Sequence, residues 1–308
     1  MDLKQLVEYN FSILCKKYKK LDVFKFRAYN KALNQLKTVK SITSMKDVEG
    51  VGGAKTQDKI KKIIETKTNI PEVDEYLSND DYTIVDDLQK IHGIGPSKAK
   101  ELFEIHNIKS IDDLKNKKEL LNNVQLMGLE YYDHIEKKIP YNEMVKHDDF
   151  ITTSIKDIVE TYSIAGSYRR KTLESSDIDL LISGNTNLLD KVVELFTKKK
   201  YINTKAILAK GSVKFMGLCK LPRHKTYRRI DILYTNPNEY PFALLYFTGN
   251  YKFNVDMRRH ALTKGYTLNE QGLYNLEDKS RVNTEFEKEE DIFEFLEYPY
   301  VEPTKRSV

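Results

Sequence analysis

Ala165-Gly-Ser-Tyr-Arg-Arg170 runs on through Lys171 to Ser176 and into Asp177-Ile-Asp-Leu-Leu-Ile-Ser183. The apolar run Leu180 to Ile182 marks a strand from Ile178 to Ser183, and Tyr162 to Ala165 reads as the strand that ends at Gly166-Ser167. Side chains two apart on a strand share a face. Asp177 and Asp179 therefore point one way, and Ile178 turns to the core. Arg229 to Tyr234 is a third β-rich run, in which Asp231 stands between Ile230 and Ile232 and can leave the sheet in the same sense. The three carboxylates are expected to converge on one patch. Left unpaired they would repel strongly. Divalent cations answer that repulsion, and hard oxygen ligands select Mg²⁺, or Mn²⁺ in its place. Two such ions about 3.5 to 4 Å apart can activate an attacking hydroxyl and steady a leaving pyrophosphate.

Outward from this centre, helical stretches such as Leu188 to Lys199 alternate with the strands, so the chain from about Pro140 is an α+β half. Before it the pattern is helical: Leu3, Leu6, Val7, Phe11 and Leu14 recur at helix spacing, and Phe24 to Leu36 repeats the pattern. Between the halves lies an internal repeat. Val48-Glu-Gly-Val-Gly-Gly-Ala-Lys55 aligns with Ile91-His-Gly-Ile-Gly-Pro-Ser-Lys98, and each copy is an apolar-x-Gly-apolar-Gly turn ahead of a helix. Glycines let such a turn approach a ligand closely while the next helix presents its free N–H groups. That geometry grips phosphates without reading bases. The charge agrees, because residues 1–67 carry sixteen Lys and Arg against seven Asp and Glu. Glu285 to Glu297, by contrast, holds seven acids and one lysine, so a basic front is set against an acidic rear.

Several classes are excluded. Cys15 and Cys219 stand alone, without the spacing of a zinc site or a disulfide framework, and read as packing residues. No apolar run is long enough for a signal peptide or a membrane span. An intracellular, soluble protein is expected, nuclear if cellular. Abundant Lys, Asn and Ile fit an AT-rich genome, a viral one included.

The turn repeats resemble tandem helix-hairpin-helix motifs, and the three-acid centre resembles the nucleotidyltransferase superfamily, specifically the family X DNA polymerases. The resemblance rests on Ala165 to Arg170, Ser175-Ser-Asp-Ile-Asp179, Lys210-Gly-Ser-Val-Lys-Phe-Met-Gly217, Arg228-Arg-Ile-Asp-Ile232, Leu245-Tyr-Phe-Thr-Gly249 and Met257-Arg-Arg-His-Ala261. It implies a multidomain fold: an all-α lyase-like front (1–75), a helix-hairpin-helix subdomain (76–140), an α+β palm (141–237) and a nucleotide-selection subdomain (238–308). It implies a DNA polymerase that fills gaps during base excision repair, with dNTPs and gapped or nicked duplex DNA as substrates, acting as a monomer. Asp177 and Asp179 would serve both metals, and Asp231 the metal at the primer 3′-hydroxyl. Lys138, Ser167, Arg170 and Ser176 would hold the triphosphate, and Tyr246, Phe247, Gly249 and Asn254 would check sugar and base. DNA would be held by Lys25, Tyr29, Lys55, Gly50, Gly52, Gly93, Gly95, Arg229 and Arg258.

The resemblance further places Na⁺ or K⁺ on the carbonyls of Lys46, Val48 and Val51, and on those of Gln89, Ile91 and Ile94. It makes Lys59 the nucleophile of a 5′-deoxyribose-phosphate lyase, working through a Schiff base and activated by the surrounding cations. The stretch Gly52-Gly53-Ala54 makes the first hairpin one residue longer than the family's, and without a gap Asp58 would take that position. Tyr251 and Val255 depart from the family near the base pair. A template-independent tailing enzyme would share the three acids and need not have the hairpins. A non-catalytic DNA-bridging module would have lost at least one acid.

Overall fold

The computed structural model describes residues 2–78, 80–184 and 188–306. Two compact units form, Met1–Gln125 and Leu126–Val308. In the first, Asp2 and Gln5 make a capping box at the start of α1 (Leu3–Leu21), and Asp22 caps α2 (Val23–Thr38) by accepting from the amides of Phe24 and Lys25. These contacts satisfy helix-start N–H groups that have no partner within the helix. The stripe read from the sequence is the core: Val7, Phe11 and Leu14 are buried together with Ala32, Leu33 and Leu36 of α2. Ile60 and Ile63 of α3 (Ala54–Thr66) and Val73 and Tyr76 of α4 (Pro71–Ser78) complete it. Each fully buried apolar side chain of this size contributes about 1.5–3 kcal/mol. Helices α5 (Asp80–Leu88), α6 (Pro96–Glu104) and α7 (Ile111–Lys115) follow, and α8 (Asn123–Glu130) carries the chain into the second unit.

The second unit continues with α9 (Tyr132–Ile135), β1 (Ile139–Pro140), α10 (Tyr141–Ile155), β2 (Thr161–Ile164), α11 (Gly166–Arg169), β3 (Glu174–Ser175) and β4 (Ile178–Ser183). Next come α12 (Leu188–Lys198), β5 (Ile202–Lys210), β6 (Lys214–Cys219) and β7 (Arg228–Thr235). A five-stranded sheet has the order β2-β4-β7-β6-β5, and β1 pairs with β3. Ile178, Leu180 and Ile182 of β4 and Ile230 and Ile232 of β7 pack on α10 and α12. Leu181 and Leu233, on the opposite face, meet Ala243 of α13 (Tyr240–Thr248). The sequence reading misses β5. The strand is irregular in register and its burial does not alternate, so it lacks the period-2 signal.

The chain ends with α14 (Tyr251–Thr263), the β8 (Tyr266–Leu268) and β9 (Leu273–Asn275) pair, and α15 (Glu289–Phe295). Phe242, Leu245, Met257, Ile292 and Phe293 form their core, and Phe253 stacks on Phe293 within it. Glu289 is not part of a solvated acidic face. It is buried between Arg169 and Arg306, whose guanidinium groups bind both of its oxygens. Both cysteines are buried, and burial pushes the Cys219 thiol up to about 12. No described helix is long and apolar enough to cross a membrane.

Candidate active site and DNA-binding elements

Strands β4 and β7 run parallel with Asp179 directly opposite Asp231. Both carboxylates thus rise from adjacent strands at the same level. Gly166 holds φ at +57°, and a Cβ there would overlap Asp179 Oδ2, so the Gly-Ser turn closes tightly on this carboxylate. Burial, then the charge of Asp231, push the Asp179 carboxyl up to about 6. Asp231 is buried, and its Oδ1 has no hydrogen-bond partner. Arg229 Nε, 3.6 Å away and equally buried, has none either. Lys214 Nζ stands 3.5 Å from the other oxygen.

Asp177 does not join this pair, because it is ion-paired with Arg229. The expected convergence of three acids is therefore met by two. Among the described residues, no three carboxylate, His or Cys side chains gather closely enough to share an ion. The cause is electrostatic: Arg229 lies on the strand of Asp231 and neutralises the third carboxylate. Arg229, expected on DNA, spends its charge on the acids. Asp179 and Asp231 nonetheless fit a divalent cation. They offer hard oxygen donors, one of them orphaned and buried, and their mutual repulsion is what an added positive charge relieves.

Lys138 Nζ donates to Ser176 Oγ at 2.6 Å, and Ser167 Oγ to Ser175 Oγ at 2.8 Å. Three of the expected triphosphate contacts are thereby gathered along the β1–β3 pair and the turn at Gly166. Behind them, buried Arg228 pairs with both oxygens of Glu143 and donates to the carbonyls of Lys137 and Lys138. Sequence reading missed this support, which depends on residues far apart in the chain. Arg170, the fourth expected contact, donates to the Thr248 carbonyl at 2.6 Å and so ties α11 to the end of α13.

Tyr246 and Phe247 meet edge to face at 5.0 Å, and Gly249 follows with φ of +60°. Asn254 Nδ2 donates to the Tyr246 carbonyl at 2.8 Å, and the Arg258 guanidinium lies 4.8 Å over the Tyr246 ring. The residues expected to check the nucleotide therefore form one cluster.

In the first unit, Lys59 Nζ lies 5.9 Å from the Tyr29 ring, and Lys25 Nζ lies 4.5 Å over Tyr18. It is Lys59 that reaches Tyr29, while Asp58 and Lys55 are exposed. The cation crowding expected around Lys59 is replaced by an ion pair with Glu72, which also accepts from Tyr18. Burial opposes the charge on Glu72, but the hydrogen bonds from Lys59 and Tyr18 hold its carboxyl below the usual range. Burial also pushes the Tyr29 phenol up to about 12.

Both hairpins turn through a left-handed glycine, Gly50 (φ +80°) and Gly93 (φ +86°), and both following helices are capped by glycine, Gly53 and Gly95. Val48 to Gly53 is one residue longer than Ile91 to Gly95, the extra residue being Gly52, also left-handed. Gly52 N–H donates to Gln35 Oε1 at 2.9 Å. The carbonyls of Val48 and Val51, expected to hold a monovalent cation, already accept from Gln57 Nε2 at 2.9 and 2.6 Å. At the second hairpin, Gln125 donates instead to the Gly93 carbonyl.

Comparison with known proteins covers these same elements. Residues 86–136 match the fingers domain of DNA polymerase lambda, 138–237 the DNA polymerase beta palm and 243–307 the DNA polymerase beta thumb. The chain is 25% identical to DNA polymerase lambda of Arabidopsis thaliana over 293 residues, covering 88% of this chain and 55% of the relative. It is 25% identical to DNA polymerase lambda of Rattus norvegicus over 308 residues, covering 92% and 53%. With DNA nucleotidylexotransferase of Xenopus laevis the identity is 26% over 311 residues, covering 86% and 60%. The chain thus spans little more than half the length of these relatives. With fingers, palm and thumb matched in order, and the paired aspartates of β4 and β7 inside the matched palm, the chain belongs to the family X DNA polymerases.

Proposed function

We propose that this chain is a template-directed DNA polymerase that fills short gaps during base excision repair. The observation that carries this reading is the Asp179–Asp231 register across β4 and β7, closed over by the Gly166-Ser167 turn. Asp179 and Asp231 would hold Mg²⁺, and Asp177, paired with Arg229, stands nearest to join them. When bound, the divalent ions supply charge to the attacking and leaving oxygens. Asp231 takes the proton of the primer 3′-hydroxyl. Lys138, Ser167 and Ser176 hold the triphosphate as it leaves, with Lys138 acting as a point charge rather than a bidentate fork. Tyr246, Phe247 and Gly249 bring backbone against C2′ of the sugar, where a ribose hydroxyl would clash. The four-part division into lyase-like front, hairpin subdomain, palm and nucleotide-selection subdomain belongs to the same reading.

The direct test is nucleotide incorporation on DNA with a single-nucleotide gap and a 5′-phosphate, compared with primer alone and with RNA. Templated addition on the gap is expected. Equal addition on the unpaired primer would favour a tailing enzyme, and binding without addition a bridging module. If the hairpins and basic front hold phosphates, affinity for gapped DNA falls steeply between about 50 and 200 mM salt through counterion release. A flat salt profile would move the DNA to another surface.

The front unit is assigned a 5′-deoxyribose-phosphate lyase activity, with Lys59 as the nucleophile beside Tyr29. Lys59, its proton passed to solvent, attacks C1′ of the abasic sugar, water leaves as the Schiff base forms, and loss of a C2′ proton to solvent drives the β-elimination that breaks the C3′–O bond. Borohydride is expected to trap the wild-type chain on such an end. Lys59→Ala is expected to lose most of the adduct and to keep incorporation. Undiminished trapping would move the role to Lys55 or Lys62.

A further inference from the structure

The two hairpins share their apolar ends and their left-handed glycine, yet they differ beneath the turn. In the first, one side-chain amide faces two of the three carbonyls that a bridging cation would use: Gln57 Nε2 lies 2.9 Å from the Val48 oxygen and 2.6 Å from the Val51 oxygen. A primary amide carries two N–H donors, and here each has an acceptor. The nitrogen thus lies within hydrogen-bond distance of both oxygens at once. It offers them the positive ends of two bond dipoles, which is the electrostatic service a small cation performs. Entry of Na⁺ or K⁺ would require expelling the amide and leaving its donors without these partners, at a cost that a half-buried group feels.

The sequence shows why only one hairpin is built this way. Gln57 is the fourth residue after the cap Gly53, whereas the fourth residue after the cap Gly95 is Ala99, which is fully buried and has no donor to offer. The extra residue, Gly52, is held by Gln35 through its N–H. Two glutamines from two helices therefore close the first turn on itself, one on the carbonyl side and one on the amide side.

We propose that Gln57 is a built-in substitute for the monovalent cation at the first hairpin, so that this hairpin presents its turn to a DNA phosphate without an ion. Any dependence of DNA binding on the identity of the monovalent cation then resides in the second hairpin. The inference rests on the proposed DNA-binding role of both hairpins. The experiment is anomalous scattering from Tl⁺, a K⁺ mimic, in crystals of the full chain, alone and with gapped DNA. Wild type is expected to show no Tl⁺ at Val48 and Val51. Gln57→Ala is expected to gain a peak there, and Gln57→Glu, whose carboxylate keeps the reach and cannot donate, to gain it at lower Tl⁺. A wild-type peak between the Val48 and Val51 carbonyls, or no new peak in both folded variants, would overturn the proposal. Failure of the wild-type chain to bind gapped DNA would count against the DNA-binding reading alone, because the Tl⁺ positions are also read without DNA.

Discussion

Asp179→Ala and Asp231→Ala are each expected to lower nucleotide incorporation by several orders of magnitude while leaving affinity for gapped DNA intact. Removing a single preorganised electrostatic contact from an active site already costs about 10²–10³ in turnover. Here each substitution takes away one of the two carboxylates that face each other across β4 and β7, and with it the donor set for a divalent ion. The loss is not expected to come from unfolding. The Asp179 carboxyl, raised to about 6, holds its proton more tightly in the folded chain than in the unfolded one. It therefore weakens folding as pH rises from about 4 through about 6, and at neutral pH it is a liability that Lys214 and Arg170 offset in part and a bound cation would offset further. Asp179→Ala should accordingly melt no lower than wild type in chelator at neutral pH, and should lose the stabilisation that Mg²⁺ confers on wild type. Single-turnover incorporation and thermal melts with and without Mg²⁺ measure both. Near wild-type turnover in either variant would remove the carboxylate pair from the mechanism.

Gly166→Ala is expected to be nearly as damaging, although it adds a single methyl group. Two effects separate cleanly. A left-handed conformation costs an L-residue roughly 1–2 kcal/mol, and Gly166 has φ of +57°. The added Cβ would also overlap Asp179 Oδ2, so the carboxylate has to move. A displacement on the order of 1 Å within a reacting constellation can cost about 10²-fold in rate. Gly265 provides the control, because its φ is +84° and a Cβ there meets nothing within 4 Å. Gly166→Ala and Gly265→Ala should lose comparable stability, and only Gly166→Ala should lose incorporation, by about 10²-fold or more. Equal activity in the two variants would mean that the turn does not hold Asp179 in place.

Much of this centre was legible in the residues. Alternation around Ile178 and Ile230 put three carboxylates on one face, and two of them, Asp179 and Asp231, do face each other in the sheet, because strand geometry is local and its period is fixed. Helix-period apolar residues from Leu3 to Leu36 marked the front core for the same reason. For Lys59 and Asp58 an extra residue in a turn leaves two registers open in the sequence, and it is the fold that puts Lys59 beside Tyr29 and leaves Asp58 exposed.

What the tertiary structure alone decided is where the long polar side chains go. Arg229 turns to Asp177, Arg170 to the Thr248 carbonyl, Arg228 to Glu143, Lys59 to Glu72 and Gln57 to the carbonyls of its own turn. The sequence by itself determined which backbone positions carry the acids, the glycines and the core, since those follow from the period of a strand, the sterics of a turn and the burial of an apolar face. The partner of a flexible charged or amide group is instead set by whichever opposite charge or unpaired carbonyl the fold brings within about 3 Å, and that neighbour can lie anywhere in the chain.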